Sequence, residues 1–175
     1  MTPVRCLLVV AASAIALTAC TNMDGTVIGG SIGTQLDMQE AELNQSLAGS
    51  GAQVINTGSS IEVILPENVT FAFGSYVVNQ SFWNPLAAIA QNLARHPNST
   101  VRVVGHTDNV GSAEYNDNLS SQRALAVSRI LIGNGLASSR LTYSGQGFRQ
   151  PIASNATSAG RALNRRVEIF ITPTR

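Results

Sequence analysis

Lysine is absent from the sequence, so all eleven of its Lys-or-Arg positions are arginines. Without lysine the chain has no side-chain amine for a Schiff base with a carbonyl group, and no lysine of a phosphate-binding P-loop. The formal net charge is only +1, so the chain also lacks the positive excess on which non-specific nucleic-acid binding depends. Lysine-dependent covalent catalysis, P-loop nucleotide hydrolysis and nucleic-acid binding are therefore not expected.

Cysteine is scarce as well, and its only occurrences, Cys6 and Cys20, lie near the N-terminus. A cation at Arg5, an apolar run over residues 6–17 and small residues before Cys20 form the pattern of a secretory signal. The apolar run is shorter than the roughly 20 residues that span a bilayer. Three interpretations remain: a lipoprotein signal, an ordinary signal peptide with a coincidental cysteine, and a short N-terminal anchor.

The position of the second cysteine favours the first interpretation. Leu17-Thr18-Ala19-Cys20 resembles the bacterial lipobox, in which the cysteine is acylated and becomes the new N-terminus. The resemblance implies a signal peptide over residues 1–19 and a lipid anchor at Cys20, and two or more acyl chains hold a protein stably in a membrane. Thr21 follows the cysteine where an aspartate would resemble an inner-membrane retention signal. We therefore expect an outer-membrane location, with the rest of the chain facing the periplasm.

Charge and composition divide the remaining chain. Residues 20–100 hold one arginine against six acids, a formal charge of −5, whereas residues 101–175 hold nine arginines against four acids, or +5. An anionic ligand is therefore expected in the second half. Clustered glycines before residue 35 indicate a linker, and apolar residues at helical spacing follow them. We predict a lipid-anchored Gly-rich linker and short helix over 20–59 and a folded domain over 60–175.

Apolar periodicity predicts alternating strands and helices in the folded domain. The predicted strands cover residues 61–65, 69–73, 100–104, 141–144 and 167–172. The first predicted helix has Asn84 as its N-cap and Pro85 as its first residue. Its apolar face consists of Leu86, Ile89, Ala90 and Leu93. With a second helix over 120–132, the pattern predicts an α+β two-layer fold with two helices on one face of a sheet.

Residues 105–124 carry most of the polar chemistry. Asp108 follows a β-branched strand, and Ser120 is expected to cap the next helix, with Arg123 in its first turn. Free N–H groups at a helix start together with an arginine form a strong carboxylate site, and Asp108 offers a partner for an ammonium group. The combination suits the free end of an amino acid. The alternative, in which Asp108 and Arg123 pair and hold the loop, stays open at this point.

Three blocks of the sequence resemble the OmpA C-terminal-like, peptidoglycan-associated family. Its motif Gly-His-Thr-Asp-x-x-Gly, followed by Asn-x-x-Leu-Ser-x-x-Arg-Ala, is matched by residues 105–111 and 116–124. Its closing Asn-Arg-Arg-Val-Glu is matched by residues 164–168, and its connecting loop by residues 144–147 and 151–155. The likeness covers about residues 60–172. The lipobox and the predicted short helix look most like the YiaD-type lipoproteins within the family.

The resemblance implies a βαβαββ domain with a mixed sheet, and non-catalytic binding of the peptidoglycan stem peptide through the free amine and carboxylate of its diaminopimelate. By position, the family's ammonium-binding aspartate falls on Asp108 and its carboxylate-binding arginine on Arg123. The residues that the resemblance assigns to this site are Thr107, Asp108, Asn116, Leu119, Arg123 and Arg165. The implied ligand is part of the cell wall, so the protein would tether the outer membrane to the wall.

The sequence departs from the family at residues 71–75, where Phe-Ala-Phe-Gly-Ser stands in place of the common Phe-Asp-x-x-Ser. The missing aspartate at Ala72 is expected to loosen one wall of the pocket. A protein-interaction module that docks onto an envelope complex or porin remains an alternative. An enzyme is disfavoured because no acid–base pair is evident. No metal and no cofactor are expected, since His96 and His106 are the only histidines.

Overall fold

The computed structural model describes residues 30–72 and 74–174 of the chain. The predicted signal peptide, Cys20 and the first part of the predicted linker therefore lie outside the described residues. The strands are β1 (Gln53–Asn56), β2 (Ile61–Pro66), β3 (Ser99–His106), β4 (Leu141–Gly145) and β5 (Arg166–Pro173). The helices are α1 (Gly30–Ser46), α2 (Glu67–Thr70), α3 (Trp83–Arg95), α4 (Ala113–Gly133) and α5 (Ser158–Asn164). Within the described ranges, no helix has the length and apolar character that crossing a membrane requires.

The strands form one mixed sheet in the order β1-β2-β5-β3-β4. β3 and β4 run parallel, while the other neighbouring pairs are antiparallel. A parallel pair needs a long crossover connection, and α4 lies in the segment that joins β3 to β4. The prediction of an α+β fold with a mixed sheet is confirmed.

The core lies between one face of this sheet and the helices. Alternate residues of a strand point to the same face, and β2 and β5 bury theirs completely. These residues are Ile61, Val63, Leu65, Val167, Ile169 and Ile171. The predicted apolar face of α3 packs against them, as do three residues of α4. The helical contributions are Leu86, Ile89, Ala90 and Leu93 from α3, and Ala124, Val127 and Leu131 from α4.

The folded unit begins earlier than the predicted boundary at residue 60. β1 pairs with β2 in the sheet, and α1 packs three leucines into the common core. These are Leu36, Leu43 and Leu47. Between α1 and α3, the side chain of Gln39 donates a buried hydrogen bond of 2.8 Å to the side chain of Asn92. Residues 30–59 are therefore part of the packed unit, because the apolar face of α1 finds a partner helix.

The predicted strand over residues 69–73 was wrong at its start. Val69 and Thr70 belong to the short helix α2, whose last turn is closed by a 2.7 Å hydrogen bond from the Thr70 hydroxyl to the Pro66 carbonyl oxygen. Phe71 is extended and forms an isolated bridge with Val78. β-Branched residues favour strands, but here the local side-chain-to-backbone bond favours a helical turn.

The predicted start of the helix that carries Pro85 was wrong by two residues. α3 begins at Trp83 with Phe82 as its N-cap, and not after Asn84. Pro85 therefore lies third in the helix. Proline has no backbone N–H, and at this position none is needed, since the first N–H groups of a helix have no acceptor within the helix.

α4 lies very close to the sheet at two glycines. A Cβ atom on Gly105 of β3 would lie 2.0 Å from the carbonyl oxygen of Ser120, and one on Gly145 of β4 would lie 2.4 Å from the backbone nitrogen of Ser121. Only glycine permits such an approach of two backbones. The contact sets the distance of α4 from the sheet, and with it the position of Arg123, one turn further along α4.

Candidate functional site

A cleft of about 500 Å³ opens between α2, α4 and the loop that follows β3. Phe71 gives it an aromatic wall, and Arg165, just after α5, lies at another side. The residues that the sequence predicted for the site all line this cleft. They are Thr107, Asp108, Asn116, Leu119, Arg123 and Arg165. The structure therefore brings together side chains that lie in two separate motifs of the sequence.

Asp108 lies in the loop two residues after the end of β3 and is buried. Its Oδ1 accepts a 3.0 Å hydrogen bond from the backbone N–H of Val110, which fixes the carboxylate within the turn. Its Oδ2 accepts a 2.8 Å bond from Nη1 of Arg165. The alternative in which Asp108 pairs with Arg123 was wrong, because a different arginine fills that place.

The start of α4 differs from the prediction. The helix begins at Ala113, and Ser112 caps it by accepting a 3.2 Å hydrogen bond from the backbone N–H of Tyr115. Ser120 is an interior residue, so Arg123 lies in the third turn, away from the free N–H groups of the helix start. The first turns of α4 border the cleft and carry polar residues, so the apolar periodicity becomes visible only near Ala124.

Arg123 is almost completely buried, with 1% of its surface exposed. Its Nε donates a 3.0 Å hydrogen bond to the carbonyl oxygen of Ser75, and its Nη2 donates to Oε1 of Glu67. The guanidinium carbon lies 5.3 Å from the centre of the Phe71 ring, within the range of a cation–π contact. The charge of Arg123 is thus held by a carboxylate, a carbonyl oxygen and an aromatic face.

Arg165 is the more accessible of the two arginines, with 31% of its side chain exposed. It donates from Nε to Glu67 and from Nη1 to Asp108. Burial is the largest single influence on the pKa of Arg165 and lowers it, but the hydrogen bonds and charges of Asp108 and Glu67 together raise the pKa above its ordinary value. The guanidinium of Arg165 therefore stays positively charged in the cleft.

The remaining predicted residues have different parts in the cleft. Asn116 ties the loop to α4, because its side-chain amide donates to the carbonyl oxygens of Val110 (2.9 Å) and Ser112 (3.1 Å). Leu119 contributes an apolar surface. The buried hydroxyl of Thr107 has no hydrogen-bond partner within the described part of the chain. Asn116 therefore shapes the site, while the Thr107 hydroxyl is buried in its wall.

Glu67 is the site residue that the sequence analysis missed. It is the first residue of α2, and its two carboxylate oxygens are shared between Arg123 and Arg165. Its backbone N–H also donates a 3.0 Å bond to the carbonyl oxygen of Arg165. Its contacts with the two arginines span 56 and 98 residues of the chain, so no local spacing in the sequence indicated it.

The charged groups of the cleft form an alternating row. In order of contact they are Arg123, Glu67, Arg165 and Asp108. Two positive and two negative charges give the row a formal charge of zero. Such a row is suited to a ligand that carries one charge of each sign, because the cation of the ligand can pair with Asp108 at one end and its anion with Arg123 at the other.

His106, the histidine next to the motif aspartate, belongs to a separate buried cluster. Its Nε2 lies 3.1 Å from Oε2 of Glu168, and Nε of Arg166 donates a 2.6 Å bond to Oε1 of the same carboxylate. Burial alone would raise the pKa of Glu168, but the hydrogen bonds and charges of His106 and Arg166 lower it overall. Residues 30–72 and 74–174 contain no group of three or more histidine, cysteine or acidic side chains placed to hold a metal ion.

Several known proteins are similar to this chain in sequence. The model of the OmpA family matches residues 70–165. The probable lipoprotein YiaD of Escherichia coli is 40% identical over 146 residues, which are 83% of this chain and 67% of that lipoprotein. The peptidoglycan-binding protein ArfA of Mycobacterium tuberculosis is 45% identical over 86 residues, which are 49% of this chain but only 26% of ArfA.

Solved structures share the fold. The cell wall anchor of the T6SS from Pseudomonas aeruginosa matches with a TM-score of 0.67 and 32% identity, over 77% of this chain and 99% of that one. The peptidoglycan-associated lipoprotein from Burkholderia pseudomallei matches with a TM-score of 0.56 and 31% identity, over 62% of this chain and 89% of that one.

Proposed function

Because this chain belongs to the OmpA family, we propose that it binds peptidoglycan without catalysis and holds the diaminopimelate of the stem peptide in the cleft. One observation carries the proposal: a buried carboxylate, Asp108, and two arginines, Arg123 and Arg165, meet in one cleft. The similar proteins include a peptidoglycan-binding protein and a cell wall anchor, which agrees with this ligand.

The chemistry of the cleft fits the free end of diaminopimelate, an ammonium and a carboxylate on one carbon. An ionised aspartate only accepts hydrogen bonds, so Asp108 provides the place for the ammonium group. A guanidinium offers planar, forked donors that match a carboxylate, so the arginines provide the place for the ligand carboxylate. Leu119 and Phe71 border these groups with apolar surface, which keeps water away from the contacts and strengthens them.

Co-sedimentation with isolated peptidoglycan tests this proposal. The mature protein is expected to pellet with peptidoglycan that contains diaminopimelate, and an excess of soluble diaminopimelate tripeptide is expected to return it to the supernatant. The physical reason is that the tripeptide presents the same charged centre as the wall. A protein that stays in the supernatant, or a pellet that the tripeptide does not diminish, contradicts the proposal.

We further propose that a lipid at Cys20 anchors the protein in the outer membrane, with the cleft in the periplasm. Ten residue steps separate Cys20 from Gly30, where α1 begins. An extended chain spans at most about 3.5 Å per residue, so the reach before the folded unit is about 35 Å or less. Many copies anchored on one membrane surface raise the effective concentration of the cleft at the wall, so a weak contact suffices for a tether.

Replacing either cysteine tests the anchor. Cys20→Ser is expected to release the protein from the membrane fraction, because the serine hydroxyl would not receive the lipid. Cys6→Ser is the matched control and is expected to leave the protein in the outer membrane, since Cys6 lies within the predicted signal peptide. The measurement is the distribution of the protein between soluble and membrane fractions of cells. Equal membrane association of the two variants contradicts lipidation at Cys20.

A further inference from the structure

The carboxylate of Glu67 occupies the place that a ligand carboxylate needs. Its Oε1 accepts from Nη2 of Arg123 and its Oε2 accepts from Nε of Arg165. Only 15% of the Glu67 side chain is exposed, so this carboxylate lies inside the cleft and bridges both guanidinium groups. The ligand carboxylate and the Glu67 carboxylate therefore compete for the same donors.

The competition is direct at Arg123. That side chain is 1% exposed, and its Nε is already used by the carbonyl oxygen of Ser75. Its Nη2 donates to Glu67, so a ligand carboxylate that meets Arg123 lies beside a second carboxylate and is repelled by it unless Glu67 gives up its bond. At Arg165 the situation is similar, because Nε is bound to Glu67 and Nη1 to Asp108.

The formal charge of the cleft indicates which ligands can displace Glu67. The row of Arg123, Glu67, Arg165 and Asp108 is neutral. A carboxylate alone brings the cleft to −1, with three anionic groups for two arginines in a partly buried place. An ammonium and a carboxylate together leave the cleft neutral, and the ammonium on Asp108 frees Arg165 to serve the added carboxylate.

We propose, on the basis of the function proposed above, that Glu67 is the specificity-determining residue of the cleft. Glu67 acts as an internal carboxylate that a ligand must displace, and it thereby selects ligands that bring an ammonium and a carboxylate together. It rejects ligands that bring the carboxylate alone. Ala72 stands at the position of the family's aspartate in this chain, and Glu67 supplies a carboxylate to the cleft.

The test compares two soluble tripeptides, one with free diaminopimelate and one in which the terminal amine of the diaminopimelate is acetylated. The acetylated peptide keeps the carboxylate but loses the ammonium. The wild-type protein is expected to prefer the free peptide strongly. Glu67→Gln removes the competing charge, so this variant is expected to bind the acetylated peptide more tightly. The ratio of the dissociation constants of the acetylated and the free peptide is expected to fall about tenfold.

Two further variants serve as controls. Glu40→Gln makes the same change of net charge on α1, no residue of which lines the cleft, and it is expected to leave the preference unchanged. Glu67→Asp keeps the negative charge on a shorter side chain, and it is expected to retain more of the wild-type preference than Glu67→Gln does. Thermal unfolding of each variant shows whether it is folded under the conditions of the titration.

The outcomes separate the two proposals. A folded Glu67→Gln variant with the wild-type preference, or a wider one, overturns the role of Glu67 while the binding function stands. Loss of the preference in Glu67→Asp also overturns the selection by charge, even where Glu67→Gln does not fold. Binding of neither tripeptide by the wild-type protein overturns the proposed function, and the role of Glu67 with it.

Discussion

Asp108→Asn is expected to weaken binding of the diaminopimelate tripeptide by about a hundredfold or more. The substitution keeps the shape of the side chain and an acceptor for the backbone N–H of Val110, so the turn after β3 is preserved. It removes the negative charge that the ligand ammonium would meet in a buried position. It also leaves Arg165 with one anionic partner fewer, which disfavours the approach of a second cation. Isothermal titration with the tripeptide measures the effect.

Asp117→Asn is the matched control for this variant. Asp117 lies on α4, its side chain is 43% exposed, and it pairs with Arg149 at the surface. The change of net charge is the same, but exposed ion pairs contribute little, so the affinity is expected to stay within about threefold of the wild type. An unchanged affinity of Asp108→Asn, or an equal loss in both variants, contradicts the assignment of the ammonium to Asp108.

Gly105→Ala is expected to destabilise the fold by about 3 kcal/mol. The added Cβ atom would lie 2.0 Å from the carbonyl oxygen of Ser120, and that oxygen belongs to the backbone of α4 and cannot turn away. The helix must move from the sheet, which opens the core beside Ala124 and displaces Arg123 from the cleft. Denaturant unfolding gives the loss of stability, and titration with the tripeptide gives the accompanying loss of binding.

Gly133→Ala provides the comparison for this prediction. Gly133 is the last residue of α4, and a Cβ atom there would meet no other atom within 4 Å. Alanine is the better helix former, so this variant is expected to be as stable as the wild type or more stable by up to about 1 kcal/mol. Equal stability of Gly105→Ala and Gly133→Ala would show that the close approach of α4 to the sheet is not a requirement of the fold.

The sequence predicted the residues that line the cleft better than it predicted the bounds of the helices and strands around the cleft. The membership of the OmpA family that its motifs indicated is confirmed, and the six predicted site residues line one cleft. Their motifs lie next to predicted strands, so Asp108 was expected just after β3 and Arg165 just before β5, where the structure has them. The role of each in binding diaminopimelate stays a prediction.

Local sequence patterns did not predict the features that depend on tertiary packing. Ser112 and Ser120 are both acceptable helix caps, and the polar first turns of α4 hide its true start because they border the cleft and not the core. The strand β1 is short and exposed along one side, so its pairing with β2 depends on the register of the sheet. Glu67 meets Arg123 across 56 residues and Arg165 across 98 residues, and no local spacing encodes such contacts.

The most direct test of the binding function is the affinity of the wild-type protein for two tripeptides that differ only in the third residue. One carries diaminopimelate, and the other carries lysine, which keeps the ammonium group but lacks the terminal carboxylate. Asp108 alone serves the lysine peptide, whereas Asp108, Arg123 and Arg165 together serve the diaminopimelate peptide. The dissociation constant is expected to be at least about fiftyfold lower for the diaminopimelate peptide. Equal dissociation constants for the two peptides would contradict recognition of diaminopimelate by this cleft.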